Sequence, residues 1–357
     1  MNERLAHTVL LTDYAWADLE IEREIIEGAG FRLVTGRSSS PPPPETITQM
    51  ARDHQPAAIL TCWAQVSADA IAACPNLRII TRLGIGLDNI SVAEATRRGV
   101  WVTNVPTYCL EEVSDHAVAM VLAWSRGLLH FDREVKAGRW EPASARLRRV
   151  STLTCGIVGY GRIGQRTAHK LKAGFGPRIL AHDPVQHAND SSVEFVQLDE
   201  LLSRSDVVIV HAPSTPNTKH LINPRSLSLM RPGAFLVNVS RGAIVDTDAL
   251  VEALQDGKLS GAGLDVLENE PMVPTALASR PDVILTPHVA FSSDASLVEL
   301  RHSACQEVVR VLRGDQPLEA RNTPHKILSA PPPHAIGAPR CLEQGSQARQ
   351  RRRRWGR

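Results

Sequence analysis

The stretch TLTCGIVGYGRIGQ, residues 152–165, decides the fold. An apolar run typical of a buried strand leads into the spacing G-x-G-x-x-G, formed by Gly159, Gly161 and Gly164. The first glycine permits a tight turn, the second lets a pyrophosphate approach the backbone, and the third lets the next helix pack closely on the strand. The N–H groups and dipole of that helix attract phosphate charge. The stretch therefore predicts a dinucleotide-binding βα turn.

An acidic residue stands where a bound dinucleotide would place its adenosine ribose. A second apolar run, residues 178–182, ends in Asp183. A carboxylate there can accept hydrogen bonds from both ribose hydroxyls, and it repels the 2′-phosphate of NADP. Pro184 follows, so no basic side chain is offered at that position. The pattern predicts NAD as the cofactor.

The length and composition are those of a globular protein. A chain of 357 residues can hold two domains with separate cores, and 43% hydrophobic and 22% charged residues are ordinary values. No stretch approaches the roughly 20 apolar residues of a membrane span. The apolar run at residues 8–11 is too short for a secretory signal, so we expect a cytoplasmic protein without membrane contact.

The six cysteines form no C-x-x-C pair. Their scatter favours neither a zinc site nor a disulfide framework, so no metal is predicted and the thiols are expected to be buried.

Positive charge is concentrated at the C-terminus. Residues 321–357 hold nine Arg or Lys and one acid, which leaves 31 basic and 37 acidic residues in the rest. Their Pro, Ala, Gly, Gln and Arg composition predicts a disordered basic tail. The run 349–357 is either a nucleic-acid or membrane-surface contact or an unconstrained extension, and the second interpretation is favoured.

Short apolar runs alternate with helical patterns along the chain, which predicts parallel sheets covered by helices on both faces. Strand candidates lie at residues 8–12, 31–34, 57–61, 77–81, 100–103, 153–158, 178–182, 193–197, 206–211, 233–238, 261–266 and 282–286. Residues 111–130 predict one long helix that bridges two domains. Pro41 to Pro44 predict an exposed extended loop without helix. The fold class is therefore α/β, with two doubly wound parallel-sheet domains.

A glycine-rich turn, residues 82–89, follows the fourth strand candidate. Open α/β sheets bind ligands at the carboxyl ends of their strands. Gly84 and Gly86 expose N–H groups that can hold a small anion. A tight turn capped by Asp88 explains the pattern equally well.

Three charged residues follow strand candidates: Arg241, Glu270 and His288. A parallel sheet brings them to one edge. Arginine offers a planar fork to a carboxylate, and histidine can give a proton to a carbonyl oxygen and take it back. An acid beside the histidine favours its charged form, with Glu268 and Asp265 as alternatives to Glu270. The set predicts hydride transfer to a 2-keto acid.

These motifs resemble the D-isomer-specific 2-hydroxyacid dehydrogenases, which include phosphoglycerate, glycerate and D-lactate dehydrogenases. The resemblance covers residues 55–318 and rests on GYGRIG from residue 159, HDP from 182, NVSRGAIVD from 238, GLDVLENEP from 263 and TPH from 286. It implies that Arg241, Glu270 and His288 are catalytic. It also implies that Gly84, Ile85 and Gly86 hold the substrate carboxylate together with Arg241.

The resemblance further implies the cofactor contacts and the domain plan. Besides the three glycines, the implied NAD contacts are Arg162, Ile163, Asp183, Ala212, Pro213, Thr218, Val239, Ser240, Arg241, Asp265 and His288. Residues 1–104 and 291–320 would form a discontinuous, flavodoxin-like substrate domain, and 105–290 an inserted Rossmann-like NAD domain. A homodimer would pair through the cofactor domain.

The chain departs from the family pattern near the substrate. Cys62 and Trp63 stand where many members have a polar residue, and VAFS follows His288 in place of IGG. This segment is most similar to the C-terminal-binding-protein branch, whose eukaryotic members are NAD(H)-sensing transcriptional corepressors. Besides the dehydrogenase, the sequence therefore leaves open a dimeric NAD(H)-sensing binding protein and, more weakly, nucleic-acid binding through the tail.

Overall fold

The computed structural model describes residues 7–38, 41–185 and 191–324. The predicted tail beyond residue 324 lies outside the described residues. The chain forms two parallel sheets with helices packed on both, as the alternating pattern predicted.

The first sheet is built from the N-terminal hundred residues. Its strands are β1 (Thr8–Tyr14), β2 (Arg32–Ser38), β3 (Ala58–Thr61), β4 (Ile79–Arg82) and β5 (Trp101–Thr103). They pair in the parallel order β2-β1-β3-β4-β5, which is the flavodoxin-like order. The connecting helices are α1 (Glu20–Gly28), α2 (Pro44–His54), α3 (Ala68–Ala72) and α4 (Val92–Arg97).

The second sheet has seven strands in the order β12-β11-β10-β9-β6-β7-β8, which contains the Rossmann order. The strands are β6 (Thr154–Val158), β7 (Arg178–His182), β8 (Glu194–Phe195), β9 (Val207–Val210), β10 (Ala234–Asn238), β11 (Leu259–Leu264) and β12 (Val283–Leu285). The remaining helices are α5 (Leu110–Ser125), α6 (Leu128–Lys136), α7 (Arg162–Phe175), α8 (Leu198–Arg204), α9 (Pro224–Leu229), α10 (Thr247–Gln255), α11 (Thr275–Ala278) and α12 (Asp294–Arg313). Short 3₁₀ turns lie at Pro142–Ser144, Val150–Thr152 and Gly242–Ile244.

Two local predictions were wrong. The proline run does not exclude a helix, because Pro44 is the first residue of α2, where its missing N–H costs nothing. The long helix predicted over 111–130 ends at Ser125, and a second helix begins at Leu128. Gly127 between them has φ of 61°, a left-handed conformation that interrupts the helix.

The last helix returns to the first sheet. α12 packs on α1, β3 and β4. The buried Arg301 of α12 pairs with the fully buried Glu22 of α1 at 2.7 Å, and this ion pair joins the first helix to the last described helix. This packing agrees with a discontinuous substrate domain, whose boundaries at 1–104 and 291–320 stay a prediction.

The cysteines at 62, 74, 109, 155 and 305 are free. They are buried, as predicted. In the described part of the chain, no helix is both long and apolar enough to cross a membrane.

Candidate active site

The glycine turn after β6 has the shape that a dinucleotide requires. Gly159 has φ of 92°, and a Cβ there would lie 2.5 Å from the backbone nitrogen of Ala212. A Cβ on Gly164 would lie 2.2 Å from the carbonyl oxygen of Gly159. Gly161, by contrast, has open space where a Cβ would be, and as the N-cap of α7 it makes no side-chain cap. The open space at Gly161 and the N-terminus of α7, which has no side-chain cap, are suited to binding a pyrophosphate.

Asp183 is held beside this turn. One carboxylate oxygen accepts the N–H of Tyr160 at 2.7 Å, and the other accepts the N–H of Val185 at 2.9 Å. Each carboxylate oxygen can accept more than one hydrogen bond, so these two contacts are compatible with the ribose contact that the sequence predicts. The bond to Tyr160 also fixes the glycine turn to the end of β7.

Arg241, Glu270 and His288 follow β10, β11 and β12, which are neighbours in the second sheet. The Nδ1 atom of His288 lies 2.8 Å from Oε2 of Glu270, while Oε1 of Glu270 accepts the N–H of Leu267 at 3.0 Å. Burial alone would raise the pKa of Glu270, but the hydrogen bond and charge of His288 lower it below its ordinary value. The carboxylate is therefore anionic at neutral pH.

Glu268 and Asp265, the alternative partners, are engaged elsewhere. Oε1 of Glu268 lies 2.5 Å from Nε2 of His220. Asp265 is buried, and its carboxylate accepts hydrogen bonds from the Thr286 hydroxyl at 2.6 Å and from two backbone N–H groups. Those N–H groups belong to Val289 and Ala290, each at 2.9 Å.

Asp265 thereby holds the loop that carries the histidine. His288 has φ of 53°, a left-handed conformation that costs energy for a residue with a side chain. Its N–H donates to the carbonyl oxygen of Asp265 at 2.8 Å. His116 of α5 supports the same loop, since its Nε2 lies 3.0 Å from the Thr286 hydroxyl. No sequence motif pointed to His116.

The glycine-rich turn of the first sheet contacts Arg241, which follows β10 of the second sheet. The Nε atom of Arg241 lies 3.2 Å from Oδ1 of Asp88, and a Cβ on Gly86 would lie 1.9 Å from Nη2 of Arg241. Burial opposes ionisation of Asp88, but the charges of Arg241 and Arg82 keep its pKa below the ordinary value. Asp88 is therefore an ion-pair partner at the site, which the sequence had shown only as a turn residue.

A cavity of about 520 Å³ joins these parts. The predicted residues that line it are Gly84, Ile85, Gly86, Ile163, Ala212, Pro213, Val239, Ser240, Arg241, Asp265 and His288. Those that do not are Gly159, Gly161, Arg162, Gly164, Asp183, Thr218 and Glu270. Glu270 contacts the imidazole from outside the cavity. The Thr218 hydroxyl donates to the carbonyl oxygen of Pro213 at 2.6 Å and so shapes the adjacent loop.

The cavity has an aromatic wall. Trp63 and Phe291 belong to the segments that depart from the family pattern, whereas Tyr108 was not predicted from the sequence. The centroid of the Phe291 ring lies 6.2 Å from the centroid of the Trp63 ring and 6.3 Å from those of Tyr108 and His288. A second histidine, His211, also lines the cavity, but burial lowers its pKa to about 4 and keeps it neutral.

The cavity thiols are poor nucleophiles. Cys62 and Cys109 both line it, and burial raises the pKa of each to about 12. Within the described ranges, no group of three or more His, Cys, Asp or Glu side chains could hold a metal ion.

Residues 118–290 match the family model described as D-isomer specific 2-hydroxyacid dehydrogenase, NAD binding domain. The chain is 36% identical over 311 residues to a glyoxylate reductase of Korarchaeum cryptofilum, an alignment that covers 85% of this chain and 92% of the relative. The chain belongs to this family. Its fold is α/β with two parallel-sheet domains, and its cofactor is a nicotinamide dinucleotide.

Two further comparisons agree with this assignment. The chain is 38% identical over 251 residues to a D-3-phosphoglycerate dehydrogenase of Mycobacterium leprae, which covers 70% of this chain and 47% of that protein. A crystal structure of a D-lactate dehydrogenase from Aquifex aeolicus, complexed with NAD and lactic acid, superposes with a TM-score of 0.77 at 30% identity. It covers 87% of this chain and 96% of that one.

Proposed function

We propose that this member of the family reduces a small 2-keto acid to the D-2-hydroxy acid with NADH, and catalyses the reverse oxidation with NAD. The observation that carries the proposal is the His288–Glu270 pair, whose imidazole faces the same cavity as Arg241 and the turn Gly84–Gly86. The keto acid gains a hydride at its carbonyl carbon and a proton at its oxygen, so each turnover consumes one NADH and one proton.

In the proposed reaction, the residues of the site have separate roles. The guanidinium of Arg241 and the N–H groups of the Gly84–Gly86 turn bind the substrate carboxylate. His288 as imidazolium donates the proton to the carbonyl oxygen, and as neutral imidazole it accepts the proton in the reverse direction. Glu270 orients the ring and favours its protonated form.

The remaining assignments concern the cofactor. When bound, NAD(H) supplies or accepts the hydride. We assign its pyrophosphate to Gly159, Gly161 and Gly164 and its ribose to Asp183, supported by the open space at Gly161. Further proposed contacts are Arg162, Ile163, Ala212, Pro213, Thr218, Val239, Ser240, Arg241, Asp265 and His288.

The experiment is a panel of 2-keto acids with NADH, followed by the loss of NADH absorbance. We expect turnover of at least one small keto acid, and glyoxylate is the first to try given the relatives. Tight NADH binding without turnover of any member would instead favour the NAD(H)-sensing binding protein. The relatives reported above are a reductase and two dehydrogenases, so they lend that alternative no support.

We further propose that two copies of the chain pair through the cofactor domain. A groove of about 310 Å³ beside α6 is lined by the apolar side chains of Phe131, Val135, Trp140 and Leu147. Trp140 is 80% exposed, and an apolar surface of this kind is typical of an interface.

The test of pairing is sedimentation of the wild type and of Trp140→Asp. We expect a dimer that Trp140→Asp weakens. Leu318→Asp is the control, because Leu318 is also exposed but lies elsewhere. A monomeric wild type would refute the pairing. The cytoplasmic location stays a prediction. The basic tail, for which an unconstrained extension was favoured over a nucleic-acid contact, lies outside the described residues.

A further inference from the structure

A short segment near the end of the described chain lies against the edge of the first sheet. Residues 318–322, here called the C-terminal edge segment, follow α12 and pair with β5 through one antiparallel bridge. The N–H of Arg321 donates to the carbonyl oxygen of Val102 at 2.8 Å, and Oδ1 of Asn322 accepts the N–H of Val102 at 2.8 Å. The segment is thereby fixed to the last strand of this sheet.

Arg321 of this segment contacts a buried asparagine. Its Nε donates to Oδ1 of Asn104 at 2.5 Å, and its Nη2 pairs with Glu319 at 2.6 Å. Asn104 lies just beyond β5 and is 5% exposed. Its Nδ2 donates to the carbonyl oxygen of Ile85 at 2.6 Å. Two consecutive hydrogen bonds therefore connect the C-terminal edge segment to the turn Gly84–Gly86.

The turn is held through its carbonyl groups. The carbonyl oxygen of Gly84 accepts the N–H of Val105 at 3.2 Å, and that of Ile85 accepts the amide of Asn104. In a trans peptide unit the C=O and the N–H that follows it point in opposite directions. The N–H groups of Ile85 and Gly86 are therefore directed away from the segment that follows β5. Within the part of the chain that the structure describes, neither of these N–H groups donates a hydrogen bond.

The asparagine and the arginine act from behind the turn. Ile85 and Gly86 line the cavity, whereas Asn104 and Arg321 do not. We propose that Asn104 and Arg321 are positioning residues for the substrate carboxylate. Asn104 fixes the peptide unit whose N–H binds the carboxylate, and Arg321 fixes Asn104. The inference rests on the proposed function, because it assumes that this turn binds the carboxylate of the keto acid.

The proposed role has a kinetic signature that a loss of stability does not share. The carboxylate is bound both before and during hydride transfer, so a misplaced turn weakens the ground state and the transition state equally. Such a change raises KM for the keto acid and leaves kcat unchanged. A variant that merely folds less completely has fewer active molecules, so its apparent kcat falls and its KM stays the same.

The first measurement compares KM and kcat for the keto acid at saturating NADH. Arg321→Ala should raise KM about 10-fold, Asn104→Ala should raise it about 10- to 100-fold, and kcat should stay within about 2-fold of the wild type in both. The double variant should have the KM of Asn104→Ala, because Arg321 acts only through the asparagine. An unchanged KM in Arg321→Ala would overturn the inference, and so would effects that multiply in the double variant.

The control is Arg78→Ala. Arg78 donates to the carbonyl oxygen of Leu312 at 2.9 Å, so it also joins the first sheet to the C-terminal part of the chain, but it lies outside the cavity and does not contact the turn. Its KM should equal that of the wild type. NADH binding is measured on every variant to establish that it folds. If Asn104→Ala does not fold, Arg321→Ala and this control decide.

A second measurement does not depend on turnover. Oxamate, an unreactive analogue of a 2-keto acid, is titrated into the enzyme–NADH complex and followed by NADH fluorescence. We expect Arg321→Ala to weaken oxamate binding about 10-fold and Arg78→Ala to leave it unchanged. This result together with no turnover of any keto acid would count against the proposed function and support the inference. Equal oxamate binding by the wild type and Arg321→Ala would overturn the inference alone, and no binding by the wild type would overturn both.

Discussion

The Nδ1 atom of His288 lies 2.8 Å from Oε2 of Glu270, although the two side chains follow different strands of the sheet. Two other acids close in sequence, Glu268 and Asp265, contact His220 and the Thr286 hydroxyl instead. The geometry thus selects one carboxylate from three as the partner of the histidine, which sequence proximity could not do.

The first prediction concerns the pH dependence of keto-acid reduction. The lowered pKa of Glu270 keeps the carboxylate anionic beside the imidazole that we propose as the proton donor. Reduction consumes a proton and oxidation releases one, so reduction should decline as pH rises and oxidation should increase. Glu270→Gln removes the charge and keeps the shape, so the pH profile of reduction should differ from that of the wild type. The measurement is kcat/KM against pH in both directions.

Glu268→Gln is the matched control for that experiment. The carboxylate has the same chemistry, but it contacts His220 at 2.5 Å and does not line the cavity. Its pH profile should coincide with that of the wild type. A profile that moves with Glu268→Gln and stays fixed with Glu270→Gln would reverse the assignment.

The second prediction concerns cofactor choice. Asp183→Ala should weaken NADH binding about 10-fold or more and raise the relative affinity for NADPH, because the repulsion of a 2′-phosphate is lost. The change also removes the carboxylate oxygen that accepts the N–H of Tyr160 at 2.7 Å. Asp183→Asn separates the effects, since it removes the charge and keeps an acceptor. Fluorescence titration gives both dissociation constants, and a wild type that prefers NADPH would contradict the assignment.

The parts of the site that local patterns specify were predictable. The glycine turn and the order of the strands depend on short runs of sequence, and Gly159, Gly161 and Gly164 take the separate roles that their spacing indicates. The interruption at Gly127 and the start of α2 at Pro44 were missed, because one residue's backbone conformation decides each of them.

Contacts between distant segments could not be predicted from such patterns. Asp88 and Arg241 are 153 residues apart and belong to loops of different sheets. Their pairing depends on how the two sheets face each other, which no local run of sequence encodes. The contact of His116 with Thr286 also joins segments that are distant in sequence, because 170 residues separate the two.

The third prediction uses the close approach of the two sheets. Gly86→Ala would place its Cβ 1.9 Å from Nη2 of Arg241, and the flexible guanidinium would have to move. The fold should tolerate this shift, but the displaced arginine should lower kcat/KM for the keto acid about 100-fold. Gly174→Ala is the control, because a Cβ there has open space. Unchanged steady-state kinetics in Gly86→Ala would show that the turn does not position Arg241.

The last prediction concerns Asp265, which holds His288 in its left-handed conformation. Asp265→Ala leaves the buried N–H groups of Val289 and Ala290 without their acceptor, at a cost on the order of 3 kcal/mol in the free energy of unfolding. The loop should then relax and misplace the imidazole, which lowers kcat about 100-fold even at temperatures where the variant is folded. Thermal unfolding and kcat are measured together.

Asp246→Ala is the control for this variant. Asp246 caps α10 by accepting the N–H of Ala249, so its loss should cost about 1 kcal/mol and leave kcat close to that of the wild type. This control separates general destabilisation from misplacement of the histidine. If folded Asp265→Ala retained the wild-type kcat, the carboxylate would stabilise the loop without positioning His288, and the strained backbone would be maintained by the hydrogen bond of the His288 N–H to the carbonyl oxygen of residue 265.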